Sequence, residues 1–233
     1  MILTDNSSLA EAIFSNPSLI PVINRFGVCL GVGDASVSEV CRSHGIDLAF
    51  FLAVANTFLN DNYFPTALSG AFPTEKVVEY LSLTDRYYAE VQLPNVERHF
   101  GMLLQCSPEG NNLPMLRGFF HEMKRELLSC IDYDCNDAFP AIFGLLKGER
   151  GEFLPDTERL ERRGVVEKVD DLAACFGRHL RGSYDRNLCV AVVSAVFLLA
   201  KDMRQNNRIR ERILVPSVRD LISGLHDEGV EAR

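Results

Sequence analysis

The sequence contains no tryptophan, no Cys-x-x-Cys pair and no excess of basic residues. Its formal net charge is −8, whereas a general nucleic-acid-binding protein normally carries a basic face. The longest apolar run covers residues 188–200 and is interrupted by Ser194. Such a run is too short to span a bilayer and is typical of a buried helix. We therefore expect no membrane association and no nucleic-acid partner.

The cysteines do not form the pattern of a disulfide-rich protein. There are seven of them, an odd number, and they are scattered over the chain. Residues 1–8 lack the basic segment and apolar run of a secretory signal peptide. These two observations predict a reduced, cytoplasmic protein. Cys29 and Cys41 stay a candidate redox pair, because a glycine-rich turn between them could bring the two thiols together.

Apolar residues recur at helical spacing along the chain, and no segment alternates as a β-strand does. Residues 1–65 contain short helical segments with caps and breaks, such as the capping box of Ser36 and Glu39. Four longer helices are predicted at 74–105, with a kink at Pro94, then at 113–146, from 157 or 165 to 180, and at 186–225. The sequence thus predicts an all-α fold. A small helical N-terminal domain, 1–65, precedes an antiparallel four-helix bundle, 70–228.

One predicted helix carries two side chains that can bind metal ions. Cys130 and Asp134 are four residues apart, so they lie on the same helix face. Helical bundles build metal sites from such pairs. The alternative is that Cys130 is a buried core thiol and Asp134 a surface acid.

Several short motifs follow one another in a fixed order. They are 22–28, 40–47, Leu93-Pro94, Phe139-Pro140 and Leu214-Val215-Pro216. Together they resemble the iron–sulfur cluster repair family, also called regulators of cell morphogenesis and nitric-oxide signalling. The resemblance implies a small N-terminal domain and a hemerythrin-like bundle that holds two irons. It also implies a role in repairing iron–sulfur clusters, or in sensing nitrosative or oxidative stress.

The chain departs from this family at the iron ligands, which the family builds from histidines and carboxylates. The matching positions carry Asp85, Cys106, Cys130, Asp134, Asn206 and Arg210, with another near Glu161, Arg162 or Arg163. A guanidinium stays protonated and cannot coordinate a metal ion. We therefore expect that the di-iron centre is lost and that no cofactor is bound.

Two hypotheses describe what replaces the irons. In the first, Arg210 forms an ion-pair core with Asp134, Asp85 or both, and Asn206 completes the hydrogen bonds. Burying the carboxylates without such a partner would be costly. The alternative is that Arg210 extends to solvent beside a surface acid.

The second hypothesis is a remodelled site for a single metal ion. Asp85, Cys106, Cys130 and Asp134 offer two thiolates and two carboxylates, a set that suits zinc or ferrous iron. The competing explanation is chance, because cysteine and aspartate are ordinary residues of helix cores and helix surfaces.

The last helix carries a cluster of basic residues that are candidates for a partner surface. They are Arg204, Arg208, Arg210 and Arg212. At this net charge a salt-bridged helix face is the favoured interpretation. No histidine forms a pattern typical of nucleophilic catalysis. We therefore expect a non-enzymatic binding or regulatory module with a protein partner. The sequence does not decide between a monomer and a homodimer.

Overall fold

A computed structural model describes residues 2–64, 72–149 and 153–231, with side chains as far as residue 224. Within these ranges the chain is helical, and the β-pairing is limited to an isolated bridge between Ser8 and Ser36. The all-α prediction is confirmed for this part of the chain. The predicted end of the N-terminal domain at 65 and start of the bundle at 70 lie outside the described residues. No helix in the described ranges is long and apolar enough to cross a membrane.

Four short helices form the N-terminal region. They are α1 (Leu9–Ser15), α2 (Leu19–Arg25), α3 (Val37–His44) and α4 (Leu48–Leu59). Their starts follow from local side chains, because Ser36 and Glu39 form the predicted capping box and Asp47 accepts a hydrogen bond from the Phe50 N–H at 2.7 Å. Gly45 ends α3 in the left-handed conformation that glycine adopts readily.

Four long helices follow, and three of them contain a π-helical turn. They comprise α5 (Thr74–Tyr87), π1 (Tyr88–Gln92) and α6 (Leu93–Cys106); α7 (Leu113–Tyr133), π2 (Asp134–Ala138) and α8 (Phe139–Leu146); α9 (Thr157–Glu161) and α10 (Arg163–His179); and α11 (Arg186–Ile209), π3 (Arg210–Leu214) and α12 (Val215–Glu231). A widened turn, π1, directly precedes Leu93 and Pro94, where the sequence predicts a kink.

A proline follows each π-turn as the second residue of the next α-helix. Proline has no N–H to donate to the preceding turn. The residue before each proline donates its N–H to the carbonyl five positions earlier rather than four, as Phe139 does to Asp134. The long helices thus continue through their prolines, and each π-turn changes the direction of the side chains beside it.

The long helices pack in a closed circuit, with α6 against α7, α7 against α10, α10 against α11, and α11 against α6. Between them lies an apolar core in which the ring of Phe100 contacts Phe120 and Phe176, with centroids 6.0 and 5.4 Å apart. This core fills the end of the bundle remote from the N-terminal helices.

The N-terminal helices share a second apolar core with the other end of the bundle. Phe26, after α2, lies 5.1 Å from the ring of Tyr80 on α5, and α4 packs against α11. The strongly apolar α4 buries most of its length in this way. The predicted N-terminal domain therefore does not have a core separate from that of the bundle.

Candidate functional site

Four charged side chains from the four long helices meet in the interior. Asp85 lies on α5, Asp134 opens π2, Arg162 joins α9 to α10, and Arg210 opens π3. The two aspartates are fully buried, and the arginines are 6 and 2% exposed. We call these four residues the Asp–Arg cluster. Its formal charge is zero, which is the condition for burying four ionised groups without an unpaired charge.

The two arginines join the two carboxylates from both sides. Arg162 binds Asp85 through both of its Nη atoms, at 2.7 and 2.8 Å, and its Nη2 also lies 2.8 Å from Asp134 Oδ2. Arg210 Nη1 lies 2.6 Å from the same oxygen, and its Nη2 lies 3.2 Å from both oxygens of Asp85. Bidentate pairs of this kind combine strength with a fixed geometry.

Arg162 has an unusual backbone conformation. Its φ angle of 52° lies in the left-handed region, and no other non-glycine residue in the described ranges has a positive φ. This conformation breaks the third long helix between α9 and α10 and aims the guanidinium inward. A strained residue of this kind typically costs about 1–3 kcal/mol and concentrates at functional sites.

The charge of Arg162 is stabilised by its partners. Burial alone lowers the pKa of a guanidinium, but Asp85 and Asp134 outweigh this effect and hold the pKa of Arg162 above its usual range. The arginine is therefore charged at neutral pH.

A second buried cluster ties α2 to the bundle. Arg25 Nη2 lies 2.6 Å from Asp202 Oδ2, and Nη1 lies 3.3 Å from Oδ1. Asn206 donates to Asp202 Oδ1 at 3.1 Å and to the hydroxyl of Tyr88 at 3.0 Å. Burial, reinforced by Asp202, holds the pKa of Tyr88 well above its usual range. We call Arg25, Tyr88, Asp202 and Asn206 the Arg25 cluster.

Arg210 and Asn206 are the two residues predicted to take the place of the irons, and the structure places them in different clusters. Arg210 contacts both carboxylates, where the ion-pair hypothesis places it. Asn206 does not complete the hydrogen bonds of the Asp–Arg cluster, because its amide is taken by Tyr88 and Asp202. That part of the prediction is wrong. The second arginine is supplied by Arg162, which lies near a position that the resemblance assigns to an iron ligand.

The four residues of the single-metal hypothesis do not come together. Asp85 and Asp134 are both paired with arginines. Cys130 is half-buried, which raises the pKa of its thiol, and the positive charge of Arg162 partly offsets this rise. Cys106 is exposed at the end of α6. It lies 21 residues beyond Asp85 on the same long helix, which corresponds to about 30 Å. The predicted tetrahedron is therefore not assembled.

The residues present do not fit a di-iron centre. Both oxygens of Asp85 and Oδ2 of Asp134 are occupied by guanidinium N–H groups, and Asp134 Oδ1 has no hydrogen-bond partner. No imidazole takes part in the cluster. In the described part of the chain, no group of three or more His, Cys, Asp or Glu side chains could hold a metal ion. Two fixed positive charges stand where cations would have to bind.

The basic residues of the last helix have intramolecular partners. Arg204 pairs with Asp170 at 2.5 Å. Arg208 donates to the carbonyls of residues 57 and 58, at 3.3 and 2.9 Å, and Arg212 donates to those of residues 61 and 63, at 2.6 and 2.7 Å. These carbonyls belong to the end of α4 and the turn after it, where acceptors lack helical partners. Arg204, Arg208 and Arg212 thus lie on a face that is paired within the molecule, as the sequence favours, whereas Arg210 is buried in the Asp–Arg cluster.

The two thiols of the candidate redox pair differ in their exposure to solvent. Cys29 is exposed and Cys41 is buried, and both are free. Burial, helped by Asp47, raises the pKa of Cys41 to about 11. A thiol of this kind is a poor nucleophile at neutral pH, which argues against a role as a redox sensor.

Sequence reasoning missed the π-turns and the Arg25 cluster, although a signal for the π-turns was present. Proline stands six residues after the polar residue that opens each turn, in the pairs Tyr88 and Pro94, Asp134 and Pro140, and Arg210 and Pro216. The three opening residues contribute to the two buried clusters. The recurrence of this spacing marks the inner, polar positions of three long helices.

Comparisons of the chain with models of protein families, with curated proteins and with solved structures found no match.

Proposed function

We propose that this protein is a hemerythrin-like four-helix-bundle member of the iron–sulfur cluster repair family in which the Asp–Arg cluster stands in place of the irons. In this proposal it acts as a stress-linked binding or regulatory module and has a protein partner instead of a metal cofactor. The observation that carries the proposal is the buried, charge-neutral arrangement of two aspartates and two arginines from the four long helices.

A scaffold function follows from the chemistry of the cluster. A catalytic group needs an open coordination position, a free nucleophile or a titratable proton within reach of substrate. Here the guanidiniums and carboxylates are directed at one another and are buried. The cluster is therefore suited to fixing the relative positions of four helices, and any binding would take place on surfaces that those helices position.

The test is elemental analysis of protein expressed with added iron and zinc, together with its visible spectrum. We expect well under one metal ion per chain and no charge-transfer band. Two irons per chain would overturn the proposal, because other residues would then have to rebuild a di-iron site.

A single zinc or iron per chain would favour the alternative, a metalloprotein with a remodelled Asp and Cys site. Two variants then identify the ligands. Cys130→Ser should lose the metal if the thiol beside the Asp–Arg cluster is a ligand. Cys106→Ser, at the far end of the same bundle, is the matched control and should retain it.

A further inference from the structure

An apolar groove opens on the N-terminal region, between α1 and the glycine-rich turn at 30–34. Its volume is about 600 Å³, and apolar side chains form most of its walls. Phe14 is 78% exposed and Leu30 is 58% exposed. Ile13, Ile20 and Val32 continue the apolar surface beneath them. We call this surface the α1 groove. Such a concentration of exposed apolar side chains typically marks an interaction site.

The groove is held in shape by its own backbone. The N–H of Leu9 donates to the Ala35 carbonyl at 3.2 Å, and the N–H of Val37 donates to the Ser7 carbonyl at 2.9 Å. These bonds fix α1 against the end of the turn. Gly31 and Gly33 have φ angles of 95° and 60°, which glycine adopts without strain. The exposed side chains therefore stand on a fixed frame, which reduces the ordering cost of binding a partner.

Two acidic residues line the groove. Glu11 lies on α1 and Asp34 lies in the glycine-rich turn. Neither side chain has a salt-bridge partner within the described residues. The net charge of the chain, −8, adds to the negative potential. A matching partner surface therefore combines apolar side chains with basic ones.

This charge pattern selects among the possible occupants. A second copy bound by the same face would bring two copies of Glu11 and two of Asp34 into one interface, since a symmetric dimer places identical surfaces together. An anionic membrane would be repelled in the same way. A basic amphipathic helix offers an apolar stripe with positive residues on both sides of it.

We propose that the α1 groove binds an amphipathic helix of a partner protein, with Phe14 and Leu30 against its apolar stripe and Glu11 and Asp34 facing its lysines or arginines. This inference rests on the proposed function, because it names the surface through which the module would bind its partner.

The test uses a synthetic amphipathic helix of leucine and lysine, about five turns long, and fluorescence anisotropy with the full chain. We expect Phe14→Ala combined with Leu30→Ala to weaken binding about tenfold or more, as central apolar contacts do. Glu11→Lys combined with Asp34→Lys should weaken it similarly. Both pairs change exposed or partly exposed side chains, so circular dichroism should show an unchanged fold.

Matched controls separate the groove from general attraction to an acidic protein. Phe197→Ala removes an exposed phenylalanine from α11, and Glu75→Lys with Glu109→Lys makes the same charge change elsewhere. These variants should bind as the unaltered chain does, and a peptide with glutamate in place of lysine should not bind. Equal loss in groove and control variants, or equal binding of the glutamate peptide, would overturn the inference.

Two further outcomes name a different occupant and also overturn it. One is a homodimer in sedimentation analysis that Phe14→Ala converts to monomer. The other is binding to anionic vesicles that needs the groove residues. Metal content measured on the same preparation keeps the two proposals distinguishable. Bound iron with groove-dependent peptide binding would refute only the metal-free function, whereas absence of both would refute only the groove.

Discussion

Arg210 is the largest fully buried side chain in the described part of the chain, and its charge is balanced by two carboxylates. Replacing it with leucine would leave the Asp–Arg cluster with one negative charge too many. We expect Arg210→Leu to lower the free energy of unfolding by about 3 kcal/mol or more, the usual effect of breaking a buried ion pair. Urea unfolding measures this. Arg204→Leu, at an exposed pair, should cost within about 1 kcal/mol.

Removing a carboxylate together with Arg210 gives a sharper test. Arg210→Leu with Asp134→Leu leaves Arg162 and Asp85 as a neutral, bidentate pair. The double variant should therefore be more stable than the single Arg210→Leu variant, because no charge is stranded. Full stability of the single variant would mean that Arg210 does not compensate the buried acids.

Arg162 Nε and Asn207 Oδ1 are among the buried polar atoms that lack hydrogen-bond partners. Both residues line a small cavity with room for the centre of about one water molecule, about 10 Å³. One atom is a donor and the other an acceptor, so one water could satisfy both. We expect a crystal structure to show a density peak about 2.7–3.2 Å from each.

Asn207→Leu provides the control, since it removes the acceptor and should remove the peak. An empty cavity in the unaltered protein, in a region of clear density, would contradict the prediction.

The raised pKa of the buried Cys41 thiol predicts a loss of stability at alkaline pH. Burial raises the pKa of this thiol from 9.0 to about 11, so the folded protein retains a proton that the unfolded chain releases. Stability should therefore be unaffected by this group below about pH 9 and fall as the pH rises toward 11. Unfolding midpoints across this range measure the effect. Cys41→Val should lack this part of the decline, whereas Cys29→Val should keep it.

At the scale of the helices, the sequence predicts much of the architecture. Apolar spacing gives the long helices closely, and the capping box of Ser36 and Glu39 fixes the start of α3. The apolar spacing does not reveal the π-turns, because one widened turn shifts which side chains face inward without changing the amino-acid composition of the helix. The inward direction of Arg162 could not be predicted either, since it depends on the left-handed backbone of this residue at a helix break. Arg210 is identified through the motif resemblance, and Asp134 through the resemblance and its four-residue spacing from Cys130.

The end of α4 gives a prediction at this scale. Arg208 and Arg212 donate hydrogen bonds to the carbonyls at and beyond its last turn. Hydrogen bonds from charged groups contribute about 1.5–3 kcal/mol, less where they are exposed. We expect Arg208→Met with Arg212→Met to lower the free energy of unfolding by about 2 kcal/mol.

The matched control for this pair is Arg178→Met, which removes an exposed arginine from α10. Urea unfolding should show little change for the control. A double variant as stable as the control would mean that these hydrogen bonds do not contribute to the free energy of unfolding.

For the whole molecule, the decisive contacts join residues far apart in sequence. Arg25 reaches Asp202, and Phe26 packs on Tyr80. No periodicity links such positions, so the two kinds of segment in the sequence indicate two domains and do not reveal the contacts between them. The shared core predicts that the N-terminal helices and the bundle unfold together.

Calorimetry tests this prediction. We expect a single transition whose calorimetric and van't Hoff enthalpies agree. Arg25→Ala should lower the transition temperature of the whole protein without splitting the transition. Two resolved transitions would mean that the N-terminal region is an independent domain.

The Asp–Arg cluster also constrains how the sequence can diverge. Each of its four members comes from a different long helix, and any one of them exchanged alone leaves a buried charge uncompensated. Lineages can therefore pass between this cluster and another core only by linked substitutions at distant positions. Among homologues, Asp85, Asp134, Arg162 and Arg210 should covary, and a single-step change to a metal-binding core should be closed to selection.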